Sequence, residues 1–148
     1  MWVRFLVYGI FGWCTEIVWT AVTDAAESAV ARRPVDARLA GKTYLWMFPI
    51  YACGGLAFEV AHGWVADLAW PLRGMVYTVG IFAVEYASGW LIQRLTGSIP
   101  WDYSERRWHV HGLIRLDYAP AWFVFGLLLE RVEQLARAIE PAVLGLVA

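Results

Sequence analysis

Long apolar stretches separated by polar connections run the length of the chain. A membrane-spanning helix needs about 20 mostly apolar residues, because the hydrocarbon core is about 30 Å thick and each helical residue rises about 1.5 Å. Four stretches of this kind predict helices over residues 2–22, 44–65, 74–95 and 118–139. In the last of them the unbroken apolar run ends at Glu130, and an amphipathic pattern follows. The pattern predicts an all-α fold, a four-helix transmembrane bundle in a single domain.

The Lys and Arg residues are divided unequally between the two sides of this predicted bundle. The long connections Thr23–Lys42 and Gln93–Arg115 carry eight of the twelve, and the opposite side carries the other four. Because cytoplasmic loops retain Lys and Arg, we expect both long loops to be cytoplasmic and both termini to lie outside, in a bacterial inner membrane. The short connection Asp67–Arg73 predicts that the second and third helices are antiparallel neighbours.

Composition supports a membrane protein and removes one class of partner. The 148 residues are 60% hydrophobic and 17% charged. Soluble domains are roughly 45–50% apolar and about 25% charged, so the polar surface here is too small to cover a soluble molecule. The net charge of -1 leaves no basic excess to attract nucleic acid. We therefore expect membrane lipids and no nucleic acid as partners, and no motif indicates a cofactor.

Four glutamates lie within the predicted helices or at their edge, where a charge is costly. The cost is about 2.5–3.5 kcal/mol at the bilayer centre, so such a residue faces the bundle interior and needs a partner. Two interpretations are open: the carboxyl groups line a transport or ligand-binding site, or each one ties neighbouring helices together by hydrogen bonds. The candidate residues for the first are Glu16, Tyr51, Glu59, His62, Glu85 and Glu130.

One pair among these residues has the spacing of metal ligands. Glu59 and His62 share one helix face, as the ligands of di-iron four-helix bundles do. By the helical rise, however, Glu16 lies about 20 Å from the outer face and Glu59 within about 10 Å of it. Only Glu85 and Glu130 reach similar depth by the same estimate, whereas the ligands of one metal must converge on it. We therefore expect no metal site.

The second long loop holds residues with catalytic chemistry. The candidates are Trp101, Asp102, Tyr103, His109 and His111. Asp and His with the nearby Ser104 are the residue types of a hydrolytic site, and acid–base chemistry on a lipid would use the same groups. The alternative is that Asp102 and Ser104 form a turn or cap. No Gly-x-Ser-x-Gly, Walker or zinc-ligand spacing accompanies them, which favours the turn.

The chain also matches itself at a shift of 71 residues. The matched pairs include Gly9 with Gly80, Trp19 with Trp90, Pro49 with Pro120, Gly55 with Gly126 and Glu59 with Glu130. A shift that spans two helices predicts two parallel helix-loop-helix repeats, related by an axis along the membrane normal. Each paired proline lies inside a predicted helix and leaves a backbone carbonyl unpaired one turn earlier, which predicts a kink beside a cavity.

Several strings, in their order along the chain, resemble one family. They are Trp46-Met47-Phe48-Pro49-Ile50-Tyr51, Phe58-Glu59 with His62, Val84-Glu85-Tyr86, Pro100-Trp101-Asp102-Tyr103-Ser104, and Leu116-Asp117-Tyr118-Ala119-Pro120 with Trp122. From Glu16 to near Glu130 the chain resembles the family called Putative ABC-transporter type IV, and within it the transmembrane protein 229 group of animals. The chain departs from the family pattern at Ala52, at His111-Gly112 and at Gln93.

The resemblance implies a four-helix integral membrane protein that acts as a transporter or permease-like subunit. Because the 148 residues contain no nucleotide-binding domain, a permease role would require a separate ATPase subunit, with this chain as a homo-oligomer. Two alternatives stay open. One is a membrane-embedded enzyme acting on a lipid or lipid-like substrate, and the other is a non-catalytic assembly or structural protein.

Overall fold

Four α-helices make up most of the protein. The computed structural model describes the backbone of residues 1–147 and the side chains of residues 1–146. The helices are α1 (Trp2–Val30), α2 (Met47–Val65), α3 (Trp70–Thr96) and α4 (Ala119–Val147). Between α3 and α4 lie two short antiparallel strands, β1 (His109–Val110) and β2 (Ile114–Arg115), and a 3₁₀ helix (Leu116–Tyr118). The predicted all-α fold is confirmed.

The helices form a bundle with two distinct ends. α1 packs along α2 and α3 along α4, while contacts of α1 with α4 and of α2 with α3 close the bundle. Both long connections lie at one end, called the loop end below. The termini and the short α2–α3 turn lie at the other, the terminal end, where the Met1 ammonium group binds Glu140.

Three helix boundaries differ from the predicted ones. α1 continues to Val30 instead of residue 22, α3 begins at Trp70 instead of residue 74, and α4 reaches Val147 instead of residue 139. Hydropathy marks where a helix could leave the membrane, whereas Ala- and Glu-containing segments continue the helix beyond that point because they are good helix formers. At the start of α3, Pro71 lies in the first turn, where its missing N–H would have no partner.

The predicted proline kinks are wrong. Pro49 is the third residue of α2 and Pro120 the second residue of α4, so both lie in a first turn. The first four N–H groups of a helix have no partner within it, and a proline there breaks no helical hydrogen bond. A polar cavity in this bundle must therefore have another cause.

Glycines bring the paired helices close together. A Cβ atom on Gly55 of α2 would meet the ring of Tyr8 at 2.2 Å, and one on Gly126 of α4 would meet Tyr77 Cβ at 2.5 Å. Both tyrosines are almost fully buried, with 2% and 3% of their surface exposed. The same arrangement, a tyrosine of an odd-numbered helix over a glycine of the next helix, therefore recurs in both halves.

The outer surface of the bundle is apolar. Of the described helices, α1 and α3 are long and apolar enough to cross a membrane. Large hydrophobic side chains are exposed on all four helices, and exposed tryptophans lie near helix ends. These tryptophans include Trp2, Trp46, Trp64, Trp70 and Trp90. Indole rings prefer the membrane–water interface, so this distribution is the one expected of a protein in a bilayer.

Candidate functional site

A cavity of about 470 Å³ lies between the helices, in the half of the bundle nearer the loop end. Every helix contributes a side chain to its lining: Glu16 from α1, Tyr51 from α2, Glu85 from α3 and Trp122 from α4. Its volume falls within the range of roughly 300–1,000 Å³ that is usual for small-molecule sites.

Small residues position the first pair of these side chains. A Cβ atom on Gly12 would meet Tyr51 Cβ at 2.3 Å, so the missing side chain lets Tyr51 pass α1 and reach the cavity. Glu16 lies one helical turn after Gly12 and therefore on the same face of α1. The glycine and the glutamate together place a phenol and a carboxyl group side by side.

Glu85 is the least satisfied polar residue of the cavity. The indole of Trp122 and the hydroxyl of Tyr103 face its carboxyl group. Neither closes a hydrogen bond of normal geometry on Oε2, however, and both Glu85 Oε2 and Trp122 Nε1 are buried without a partner among the described residues. Buried polar atoms are nearly always hydrogen-bonded, so this pair is arranged for a group that the protein itself does not supply.

Glu16 approaches the same space from α1. Its Oε2 atom accepts a hydrogen bond of 2.8 Å from the hydroxyl of Thr43, in the first long loop. The phenol of Tyr51 faces the carboxyl groups of both Glu16 and Glu85. Within the described part of the chain, neither of these carboxyl groups has an ion-pair partner.

Aromatic rings form one wall of the cavity. Trp19, Tyr118 and Trp122 pack on one another, with ring centroids 5.2 Å apart for Trp19–Tyr118 and 5.9 Å for Tyr118–Trp122. The Arg115 guanidinium lies 4.2 Å from the Tyr118 ring centroid and pairs with Asp117 at 2.6 Å. One face of this aromatic wall thus already binds a cation.

The second long loop closes the cavity at the loop end. Trp101 Nε1 donates a 2.8 Å hydrogen bond to the Leu113 carbonyl, and the Tyr103 N–H donates one of 2.9 Å to the Gly112 carbonyl. Leu113 is 1% exposed, and it packs with Trp101 against Gly89 of α3. The loop is therefore packed into the bundle instead of lying free in solvent.

The catalytic candidates of this loop hold its turns. Asp102 Oδ1 accepts the Ser104 N–H at 2.8 Å, and His109 Nδ1 accepts the Gly112 N–H at 2.9 Å. Hydrogen bonds from Ser104 hold the pKa of Asp102 below its usual range. These contacts correspond to the turn interpretation of Asp102 and Ser104.

Two further groups of this loop have a defined environment. His111 Nδ1 lies 2.8 Å from the Tyr86 hydroxyl, and His111 adopts a left-handed backbone conformation with φ 52° beside Gly112 at φ 73°. Burial raises the pKa of the Tyr103 phenol, so this group stays a neutral hydrogen-bond donor. The hairpin thus fixes a neutral phenol beside Glu85.

Glu59 lies away from the cavity, in an ion-pair network at the terminal end. Its carboxylate binds Arg4, accepts the Tyr8 hydroxyl at 2.9 Å and binds Arg137 at 3.0 Å. Arg137 also pairs with Glu133 at 2.8 Å. Four titratable side chains from α1, α2 and α4 therefore compensate one another's charge here.

His62 and Glu130 are also partnered near the terminal end. His62 Nδ1 lies 2.5 Å from Glu133 Oε2. Glu130 pairs with Arg73 at 2.7 Å and accepts the Tyr77 hydroxyl at 3.1 Å. The predicted similarity in depth of Glu85 and Glu130 is wrong, because Arg73 lies in the first turn of α3 while Glu85 lies about 22 Å further along it at the helical rise.

The cavity therefore unites some of the predicted candidates and omits others. Glu16, Tyr51, Glu85, Trp101, Asp102 and Tyr103 line it. Glu59, His62 and Glu130 belong to the terminal-end contacts. Among the described residues no three His, Cys, Asp or Glu side chains converge as metal ligands.

Sequence reasoning missed Trp122 as a lining residue and the arginine partners of the glutamates. A signal for Trp122 was present, because it follows Tyr51 by the same 71 residues that separate Gly55 from Gly126. The arginines carried none, since Arg4 and Arg73 look like ordinary interfacial charges until the helices are paired.

Taken together, the apolar exterior, the helical bundle and the polar cavity define a helical membrane protein. The family described as Putative ABC-transporter type IV matches residues 3–145, nearly the whole chain, and the protein belongs to this family. No solved structure matches the chain.

Proposed function

We propose that this protein is a permease-like subunit of a membrane transporter and that the cavity between Glu16 and Glu85 is its solute-binding site. The observation that carries the proposal is the buried, unpartnered pair of Glu85 Oε2 and Trp122 Nε1 at the cavity wall. A polar residue inside a membrane bundle marks a ligand or ion pathway unless the protein itself satisfies it. Glu85 is such a residue.

The remaining glutamates have a different role in this proposal. Glu59, Glu130 and Glu133 all have arginine partners, and the first two also accept a tyrosine hydroxyl. They serve as interhelical contacts that hold the terminal end closed. The transport site is then a pair of carboxyl groups near the loop end, not a cluster of four.

All four helices cross the membrane in this proposal. α2 has 19 residues and spans about 28 Å, close to the thickness of the hydrocarbon core. The charged side chains of α4 pair with α1, α2 and α3 at the terminal end, so they face protein and not lipid. Both long loops are then cytoplasmic and both termini outside, because the arginines of the terminal end are largely neutralised whereas the loops hold the excess of basic residues.

Two structural repeats account for the shape of the site. Arg4, Tyr8 and Glu16 of α1 precede Arg73, Tyr77 and Glu85 of α3 by 69 residues, whereas the α2 and α4 residues are related by 71. In each half an Arg and a Tyr of the first helix hydrogen-bond a Glu of the second. Glu16 and Glu85 are then equivalent positions facing each other across one pseudo-twofold axis.

Active transport would need an energy source outside this chain. The family name indicates an ABC-type ATPase as the partner. The loop end, which carries the two long basic loops, is the side on which a cytoplasmic ATPase would bind. Two or more copies of this chain per ATPase pair would complete a permease of usual size.

Cysteine accessibility tests whether the cavity is hydrated. Gly80 lines the cavity and has nothing within 4 Å of an added Cβ atom, while Ala83, one turn away on α3, is exposed outside the cavity. In a background with Cys14 and Cys53 replaced by Ser, we expect a hydrophilic thiol reagent to label Gly80→Cys and to leave Ala83→Cys in the lipid unlabelled. Equal protection of both cysteines would contradict a hydrated transport site.

A further inference from the structure

We infer that the cavity binds an organic cation, a quaternary or protonated amine with an aromatic or alkyl body. This inference rests on the proposed function, since it names the class of solute that the same site would take. Three features of the cavity carry it: the balance of charge on its lining, the aromatic wall beside Glu85, and the unpartnered carboxyl oxygen.

The lining has an excess of acidic groups. It includes five carboxyl side chains and three basic ones. Two of the basic groups are already paired, Arg106 with Glu27 at 2.6 Å and Arg115 with Asp117 at 2.6 Å. The third, Lys42, lies at the loop end, where its backbone binds Thr20. The interior of the cavity therefore has two carboxyl groups and no cation to balance them.

The aromatic wall supplies the second requirement of an organic cation. Cations are attracted to the faces of Trp and Tyr rings, and aromatic cages are the usual receptors of quaternary ammonium groups. Trp19 and Trp122 are stacked at 6.1 Å beside Tyr118. Arg115 over Tyr118 shows that the wall accepts a positive charge at 4.2 Å. A ligand ammonium group between Trp122 and Glu85 would use the same chemistry.

Other ligand chemistries fit this lining less well. An anion would lie against Glu16 and Glu85 with every nearby cation already paired. A metal ion of Ca²⁺ or Mg²⁺ type takes about six oxygen ligands, whereas this wall is largely aromatic. A neutral ligand without donors would leave Glu85 Oε2 buried and unpaired.

Binding of benzyltrimethylammonium tests the inference. The purified full chain is placed in nanodiscs of phosphatidylglycerol, and equilibrium dialysis measures saturable binding above that of empty discs. We expect the cation to bind, and its neutral isostere neopentylbenzene and the anion phenylacetate to bind at least about tenfold more weakly, because the former lacks the charge and the latter carries the wrong one. Equal binding of the isostere, or preferred binding of phenylacetate, would overturn the inference.

Matched variants locate the binding. We expect Glu85→Gln and Glu16→Gln each to weaken binding of the cation about tenfold or more, and Glu85→Asp, which keeps the charge, to weaken it less. Trp122→Phe should retain most of the affinity and Trp122→Leu should lose it, because only the ring provides a cation-binding face. Glu105→Gln, an exposed carboxylate outside the cavity, is the control and should bind as the wild type does.

Two further arms separate the source of the cation and the two proposals. If phosphatidylcholine in the discs competes with benzyltrimethylammonium, the recognised group is a lipid headgroup; if it does not, the ligand is a free solute. Absence of cation binding with a reactive Gly80→Cys would overturn the ligand class alone. Protection of Gly80→Cys would overturn the transport site itself.

Discussion

At the scale of single residues, the four intramembrane glutamates differ in what surrounds them. Glu59 and Glu130 are bound by arginine and tyrosine side chains, whereas Glu85 has a buried oxygen with no partner among the described residues. The sequence predicted all four as one set, because hydropathy shows that a carboxyl group is buried and cannot show which helix faces it. Partners from distant parts of the chain decide between stabilising and ligand-binding roles.

Charge-neutral substitutions distinguish these two roles. We expect Glu59→Gln to lower the free energy of unfolding by roughly 2 kcal/mol or more, because it leaves Arg4 without a buried counter-charge. Glu85→Gln should change it by less than about 1 kcal/mol, since no ion pair is lost. Thermal unfolding in detergent measures both. A loss of stability in Glu85→Gln as large as that in Glu59→Gln would mean that Glu85 is only an interhelical contact.

At the scale of elements, the pairing of α1 with α2 and of α3 with α4 rests on a tyrosine packed over a glycine. The pairing of Gly55 with Gly126 was visible in the sequence, and the tyrosines that cover them were not. The helices themselves were predictable because hydrophobic length defines them, but the extension of α1 to Val30 and the hairpin after α3 were not. His111-Gly112, with φ 52° and 73°, was the available signal for that hairpin.

Alanine at two glycines of α2 tests this helix pairing. We expect Gly55→Ala to destabilise the protein by about 1–3 kcal/mol, because the new methyl group would overlap the Tyr8 ring. Gly63→Ala is the control, since nothing lies within 4 Å of its added Cβ atom, and it should be neutral or stabilising by up to about 1 kcal/mol. Thermal unfolding of the two variants side by side would refute the close packing if Gly55→Ala were as stable as Gly63→Ala.

The loop that closes the cavity should be sensitive to acid. The Arg115 guanidinium bound to Asp117 holds the pKa of that carboxyl below its usual range, as Ser104 does for Asp102. A lowered pKa in the folded state contributes stability above the unfolded value of about 3.9, and this stability is lost as the pH falls through the folded pKa. We expect the melting temperature to fall below about pH 4. Asp117→Asn should start lower and lose less over the same interval, and identical pH profiles would contradict this assignment.

At the scale of the whole molecule, the two ends of the bundle differ in how their charge is used. Three of the four arginines at the terminal end, Arg4, Arg73 and Arg137, pair with carboxylates of other helices or turns of the bundle. The loop end carries most of the remaining positive charge and the cavity. A protein closed by ion pairs at one end and by a packed loop at the other has the form of a gated compartment.

The orientation of this compartment follows from the same charges. We expect an impermeant thiol reagent added to intact cells to label Asp67→Cys, in the short turn at the terminal end, and to label Arg33→Cys only after the cells are permeabilised. The background again has Ser at positions 14 and 53. Labelling of Arg33→Cys in intact cells would reverse the orientation.

Solute uptake tests the central claim most directly. Proteoliposomes containing the purified chain, with any ATPase that co-purifies with it and ATP, are incubated with a cell extract, and their contents are measured by mass spectrometry. We predict that at least one solute accumulates in wild-type and Glu105→Gln vesicles and that Glu85→Gln lowers its initial rate at least about tenfold. Identical contents in wild-type, Glu85→Gln and protein-free vesicles would contradict the assignment of a transport site to this cavity.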